Sequence, residues 1–188
     1  MRPRWWPVLA WCVLVAVLAG CVLLARGDDR ERSERALLAQ RDQVDAELRE
    51  LLAGVGTHLG QEVRTDSGLW LGCSMVLESG FRAARYTANI RLDVRTPRDR
   101  VAPELVRIAR EAGWVVEPGP RRRADAEEPK RAEWVRGRKS DLAADLADLA
   151  PGVEGHVLLR VTADTCLDVP SGQRETWILR EEPGPLAD

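Results

Sequence analysis

Three hydrophobic patterns follow one another along the chain, and each predicts a different element. Residues 5 to 25 form an uncharged, almost wholly apolar run of 21 residues, which at ~1.5 Å per residue makes a helix about one hydrocarbon thickness long. From Glu31 to Val55 the apolar residues Leu37, Val44, Leu48, Leu51, Leu52 and Val55 recur at intervals of three, four and seven, the stripe of an amphipathic helix. Ser33 suits its start and Gly54 and Gly56 its end. Beyond that the period shortens to two. Leu71, Cys73, Met75 and Leu77 alternate with smaller residues, and Tyr86, Ala88, Ile90, Leu92 and Val94 alternate strictly with Arg85, Thr87, Asn89, Arg91, Asp93 and Arg95. The second run predicts a strand with one buried and one wet face, as in an antiparallel sheet covered on one side.

Thr96-Pro97 then opens a helix whose inner face is Val101, Leu105, Ile108, Ala109 and Ala112, with Pro103 delaying its regular turns and Gly113 ending it. Trp114 to Val116 starts another strand. Residues 118 to 130, with Arg121, Arg122 and Arg123 followed by Asp125, Glu127 and Glu128, predict a solvated hairpin loop, and Ala132 to Arg136 a returning strand. Asp141 to Ala150 fits a helix by its Leu spacing or a meander strand by its place between strands, with the strand preferred. Val157, Leu159 and Val161 mark a last strand, and the chain beyond Arg180 is expected to be loose. The fold class predicted is α+β: an antiparallel sheet of about four to five strands with one or two packing helices, preceded by an N-terminal membrane helix or lipoprotein signal. Residues 1–26 are the signal or anchor, 27–60 the amphipathic helix and membrane-proximal linker, 61–170 the extracytoplasmic domain and 171–188 a C-terminal tail.

Orientation follows from charge. Arg2 and Arg4 precede the apolar run and hold the N-terminus on the cytoplasmic side, so the remainder faces outward. Within the run, Leu18-Ala19-Gly20-Cys21 resembles the lipobox of bacterial lipoproteins, which implies cleavage before Cys21 and lipidation of that residue. Val22 to Ala25 instead prolong the run as an uncleaved anchor requires. Both readings put the protein at the cell membrane, on its extracytoplasmic face, with membrane lipid as the partner of its N-terminus.

Three of the seven Trp lie in the first eleven residues, so the folded part has a small aliphatic core. The net charge is −2, and removing Arg2, Arg4 and Arg26 leaves −5 on residues 27 to 188, a balance that argues against nucleic acid as a partner. Cys12 and Cys21 fall in the apolar run. Cys73 and Cys166 are the only other thiols, and an oxidising compartment makes a disulfide between them the expectation.

Reactive constellations are missing from the sequence. His58, Cys73, His156 and Cys166 are zinc-ligand types without the short spacing that nucleates such sites. Ser74 has no Gly-x-Ser-x-Gly elbow, and no Gly-rich phosphate loop occurs. No cofactor or metal is expected, and the chain is expected not to be an enzyme.

The order of lipobox-like signal, amphipathic helix, Trp70 with Cys73, amphipathic strand, helix ending in Ala-Gly-Trp, charged hairpin and strand closing on Cys166 resembles small actinobacterial envelope lipoproteins of the LppA type. The resemblance implies an envelope protein and carries no active site over. Three functions remain open: a non-catalytic binding or assembly module, with another envelope protein as a candidate partner; a solute- or lipid-binding lipoprotein with a pocket between the Leu105 helix and the Ile90 strand; and a stalk that dimerises through Leu37, Val44 and Leu51. The oligomeric state is open.

Overall fold

The computed structural model describes residues 6–59, 61–73, 75–76, 80–94, 96, 98–117, 121–122, 133–148, 156–170 and 172–186, with backbone alone for the first helix as far as residue 28 and for a few residues at element ends. The N-terminal segment and the amphipathic segment are one uninterrupted helix, α1 (Trp6–Leu59), of 54 residues, about 80 Å long at ~1.5 Å per residue. Among the residues whose side chains are described, no helix is long and apolar enough to cross a membrane; the apolar run and Cys21 lie outside that set.

The stripe predicted for α1 is its packing face. Leu37, Val44, Leu48, Leu51 and Val55 are all 0% exposed, and they lie against the sheet of their own domain, on β4 (Ala83–Val94) and β9 (His156–Ala163). The seam of a dimerising stalk is therefore inside the fold. At residue 54 the helix carries no side chain, because a Cβ there would sit 2.6 Å from the Ile108 side chain of α2 (Arg98–Glu111). Only glycine allows the two helices to approach so closely.

Among the described residues the main sheet has nine strands, antiparallel throughout, in the order β11-β1-β4-β9-β8-β7-β5, with β10 beside β4 and β6 beside β7. Its long strands are β1 (Gln61–Gly72), β4, β7 (Glu133–Lys139), β8 (Leu142–Asp148) and β9. Two-residue strands finish it: β5 (Val115–Val116), β6 (Arg121–Arg122), β10 (Leu167–Asp168) and β11 (Glu181–Glu182). The class agrees with the sequence reading, as do β4, β7, β8, β9 and the short β5; β1 overlaps the expected strand only at Leu71 and Gly72, and β6, β10 and β11 exceed the count, since two residues carry no periodicity. A separate hairpin of β2 (Met75–Val76) and β3 (Gly80–Phe81) sits between β1 and β4.

Four local expectations change. The strand expected around Leu71 to Leu77 ends at Gly72, leaving Cys73 outside it, and its unpredicted part begins at Gln61. That part shows no apolar alternation because its inner positions receive other partners: a Cβ at Gly68 would lie 1.8 Å from the Tyr86 hydroxyl, and Asp66 accepts a hydrogen bond from the Leu186 amide at 3.0 Å. The helix α2 begins at Arg98 and runs through Pro103, whose missing N–H would have met only a first-turn carbonyl. Thr96 donates its hydroxyl to the Leu59 carbonyl at 3.1 Å, closing the end of α1. Finally, the C-terminal segment is docked. Its short helix α3 (Arg174–Trp177) buries Trp177 against Trp70, ring centres 5.1 Å apart; β11 pairs with β1, and Arg49 donates to the Pro185 carbonyl at 2.7 Å.

Other expectations hold. Residues 142–148 form strand β8, turned from β7 by Ser140 and Asp141, with Ser140 at φ 54°, a conformation that two-residue hairpin loops require. Gly113 ends α2 at φ 83°. One further expectation changes: the loop expected over 118–130 is not loop throughout, since Arg121 and Arg122 extend the sheet as β6, while 118–120 and 123–130 lie outside the described residues.

Both long helices cover one face of the sheet. That face supplies Tyr86, Ala88, Ile90 and Leu92 from β4, Val157, Leu159 and Val161 from β9, and Ala144 and Leu146 from β8 to a single core. Lys139 ties sheet to helices, its Nζ 2.8 Å from Glu47 Oε2, 3.2 Å from Glu50 Oε2 and 2.9 Å from the Ala112 carbonyl near the end of α2; the Glu47 hydrogen bond foremost raises its pKa.

Candidate functional site

Side chains alternate across a strand, so residues that do not face the helices face the other way. On the opposite face the strand register aligns residues that are far apart in the chain. One row across the sheet reads Ser67, Asn89, Arg160, Asp145, Arg136. The next reads Leu69, Thr87, Thr162, Ala143, Arg138. Arg85 and Leu71 are paired beyond that row, and Arg91 and Thr65 are paired on the far side of the Asn89 row.

Short side chains in the second row leave a hollow between longer ones. Its volume is about 500 Å³, and its floor is Thr87, Thr162 and Ala143, with Arg85, Arg136, Arg138 and Arg160 around it. A smaller concavity of about 170 Å³ adjoins it, sharing Asn89 and Arg160 and adding Arg91, Thr65 and Ser67. The threonines are locked to each other, Oγ1 to Oγ1 at 2.8 Å, and Thr87 also donates to the Val161 carbonyl at 3.3 Å.

The charges are unevenly paired. Arg136 donates to Asp145 at 2.7 Å, which raises the arginine's pKa. Arg138 reaches Asp164 at 3.7 Å. Arg160 stands opposite Asp145 in the register, and its Nε donates to the neutral Asn89 Oδ1 at 2.6 Å. Arg85 and Arg91 make no ion pair or hydrogen bond among the described residues. Five arginines and two aspartates line the two concavities, and the register sets further carboxylates on the same face: Asp93 on β4, Asp168 opposite Ala83 and Glu181 opposite Leu69, with Glu117 acting on Arg136. Such guanidinium forks match oxyanions with several acceptor oxygens.

The two thiols singled out by sequence are joined as the Cys73–Cys166 disulfide, Cα atoms 6.0 Å apart. Leu71 and Asp164, each two residues from a half-cystine, line the hollow, so the bridge braces its rim. His58 lies elsewhere, beside Glu111 at 3.6 Å, and the side chains of His156 and Cys21 are outside the described set. Both cysteines are spent on the bridge, and among the described residues no three His, Cys, Asp or Glu converge on a possible metal position. Leu105 and Ile90, between which a ligand pocket was considered, are both fully buried in the core.

One buried polar pair lies on the helical side. Asp45 and Tyr86 are 8% and 0% exposed. Burial foremost raises the pKa of each, with the facing carboxylate raising the phenol's further. Enclosed in this way, neither can reach a substrate.

Sequence reasoning named the wet residues of β4 but not the face they belong to, because Arg136, Arg138 and Arg160 join them only through a register that no local pattern encodes. Comparison with protein-family models, with curated proteins and with solved structures found no match for this chain.

Proposed function

We propose that the protein is a membrane-tethered extracytoplasmic module of the cell envelope, non-catalytic, whose working surface is the open face of its sheet. The observation that carries this reading is that α1, which begins in the apolar run after Arg2 and Arg4, ends as the core helix of a disulfide-braced domain. A disulfide belongs to an oxidising compartment, and a 21-residue apolar start belongs to lipid. The exposed polar face then offers what a binding module needs: fixed charges on rigid strands, open to solvent.

The tether takes one of two forms, a span over residues 5–25 or a diacylated Cys21 after cleavage at the Leu18-Ala19-Gly20 lipobox. Intact mass of the membrane-extracted protein distinguishes them. The test of the whole reading is fractionation with alkylation: the chain partitions with membranes, protease added outside the cell removes the domain, and Cys73 and Cys166 stay unlabelled until reduced. Full-length chain in the cytosol with both thiols alkylated would falsify it.

A further inference from the structure

We propose that the Cys73–Cys166 bridge is a redox clasp opened from the folded state, and that Cys166 is the site at which an external dithiol attacks it. This goes beyond the proposed function and holds whatever the open face of the sheet binds.

Topology fixes where the bridge runs. Gly72 on β1 and Leu167 on β10 pair with Ala84 from opposite sides of β4, so a bond between the residue after Gly72 and the residue before Leu167 must cross β4. Leu69 and Leu71 line the hollow, and strand alternation carries Cys73 to the same face, since its N–H continues the ladder by donating to the Ala83 carbonyl at 3.0 Å. The crossing is therefore on the open face, away from the core. Ala83, the β4 residue on that face at the crossing, is only 7% exposed.

Exposure selects the sulfur. Cys166 is exposed, as are Asp164 and Thr165 before it, whereas Cys73 is half-buried. Thiol–disulfide exchange depends on which sulfur a thiolate can reach, and exposed bridges are the labile ones. In the first step the incoming thiolate bonds to Cys166 Sγ as the Sγ–Sγ bond breaks, and the electron pair leaves on Cys73 as a thiolate. The second thiol of the same reagent then bonds to the first and releases Cys166. The dithiol ends as a disulfide, and the protein has gained two electrons and, on protonation, two protons.

The folded chain holds both half-cystines without the bridge. Cys73 has its bond to Ala83, Val169 donates its N–H to the Arg82 carbonyl at 3.0 Å, and Gln40, 7% exposed on α1, accepts from the Tyr86 N–H at 3.0 Å while donating to the Thr165 carbonyl at 2.9 Å. The freed thiols stay on either side of β4, in position to close again. What opening changes is the rim of the hollow, where Leu71 and Asp164 lose their brace.

The test uses the oxidised wild-type full chain in neutral detergent micelles. Reduction by dithiothreitol is expected to be first order in the reagent and to change by less than about twofold in ~1 M urea, because no unfolding precedes it. A bridge reached only by global unfolding would be reduced about thirtyfold faster there. With glutathione and iodoacetamide together, peptide mapping should find the glutathione adduct on Cys166 and the alkyl label on Cys73 about tenfold or more over the reverse arrangement. Two outcomes overturn the proposal: acceleration by urea of that order, or adducts shared evenly between the two sulfurs or gathered on Cys73. Neither outcome touches the fractionation test, which asks where the chain resides, and a cytosolic location would leave these rates as they are.

Discussion

Replacing both half-cystines, Cys73→Ala with Cys166→Ala, tests how this domain stands with so modest a core. The bridge closes a loop of 93 residues, and the chain-entropy relation assigns such a loop ~4 to 5 kcal/mol of stability through the unfolded state. Topology suggests little of this will be recovered elsewhere. Cys73 follows the last residue of β1 and Cys166 precedes β10, and β4 lies between β1 and β9 in the sheet. The bridge therefore cross-links segments that no local hairpin holds together in the unfolded chain. Total stability for a domain of this size is typically ~5 to 15 kcal/mol, so the loss is a large fraction. Urea unfolding of the full chain in neutral micelles, followed by fluorescence of the buried Trp70, Trp114 and Trp177, should show the midpoint falling by roughly 2 M for a slope of about 2 kcal/mol/M. The reduced wild type should match the double variant. A loss below about 1 kcal/mol would refute the reasoning, because it would mean that the unfolded chain is already confined without the bridge.

Leu51→Ala should cost about 2 to 5 kcal/mol in the same assay without changing sedimentation, since Leu51 is fully buried in its own domain; dissociation of an oligomer would restore the stalk. Gly68→Ala should cost more than about 2 kcal/mol by overpacking, because its Cβ would meet Tyr86 Oη at 1.8 Å, and Tyr86→Phe should recover part of that loss in a double-mutant cycle. Lys139→Met should cost about 1 kcal/mol, measured by urea unfolding across pH. The lysine's folded pKa is raised above its ordinary 10.5, so its contribution is complete below that pH and is lost as pH climbs through the folded value. A gap between wild type and variant that opens only in acid would contradict the assignment.

What could be read from the sequence was whatever a local period encodes. The α1 stripe, the β4 alternation and the α2 face each bury the predicted residues, because one-sided burial leaves its mark within a few turns or strand positions. Gln61 to Gly68 left no such mark: its inner positions are a glycine making room for Tyr86 and an aspartate holding a tail amide, choices imposed by residues 18 and 120 positions away in the chain. The C-terminal segment was illegible for a related reason. Trp177 is its main large anchor, and its slot exists only once Trp70 and α3 have met. The candidate site was half visible, as the polar positions of one strand whose neighbours only the register supplies.

The route of the C-terminal segment decides whether that polar face becomes a site. A sheet with helices on one side commonly acquires a second cover or leaves a wet face, and this chain still has 25 residues to place after β9 ends at Ala163. Laid across the strands, they would have covered the polar face. They turn instead around the β1 edge: Trp177 goes to the core side, β11 pairs with β1, and Glu182 accepts from Arg180 at 2.9 Å and from the Trp70 indole at 3.3 Å. Edge pairing also protects β1 from pairing with other chains. Glu182 is thus consumed at the sheet margin, whereas Glu181, opposite Leu69, and Asp168, opposite Ala83, stand on the arginine-bearing face and offset part of its charge, so the segment leaves that face uncovered without leaving it unbalanced.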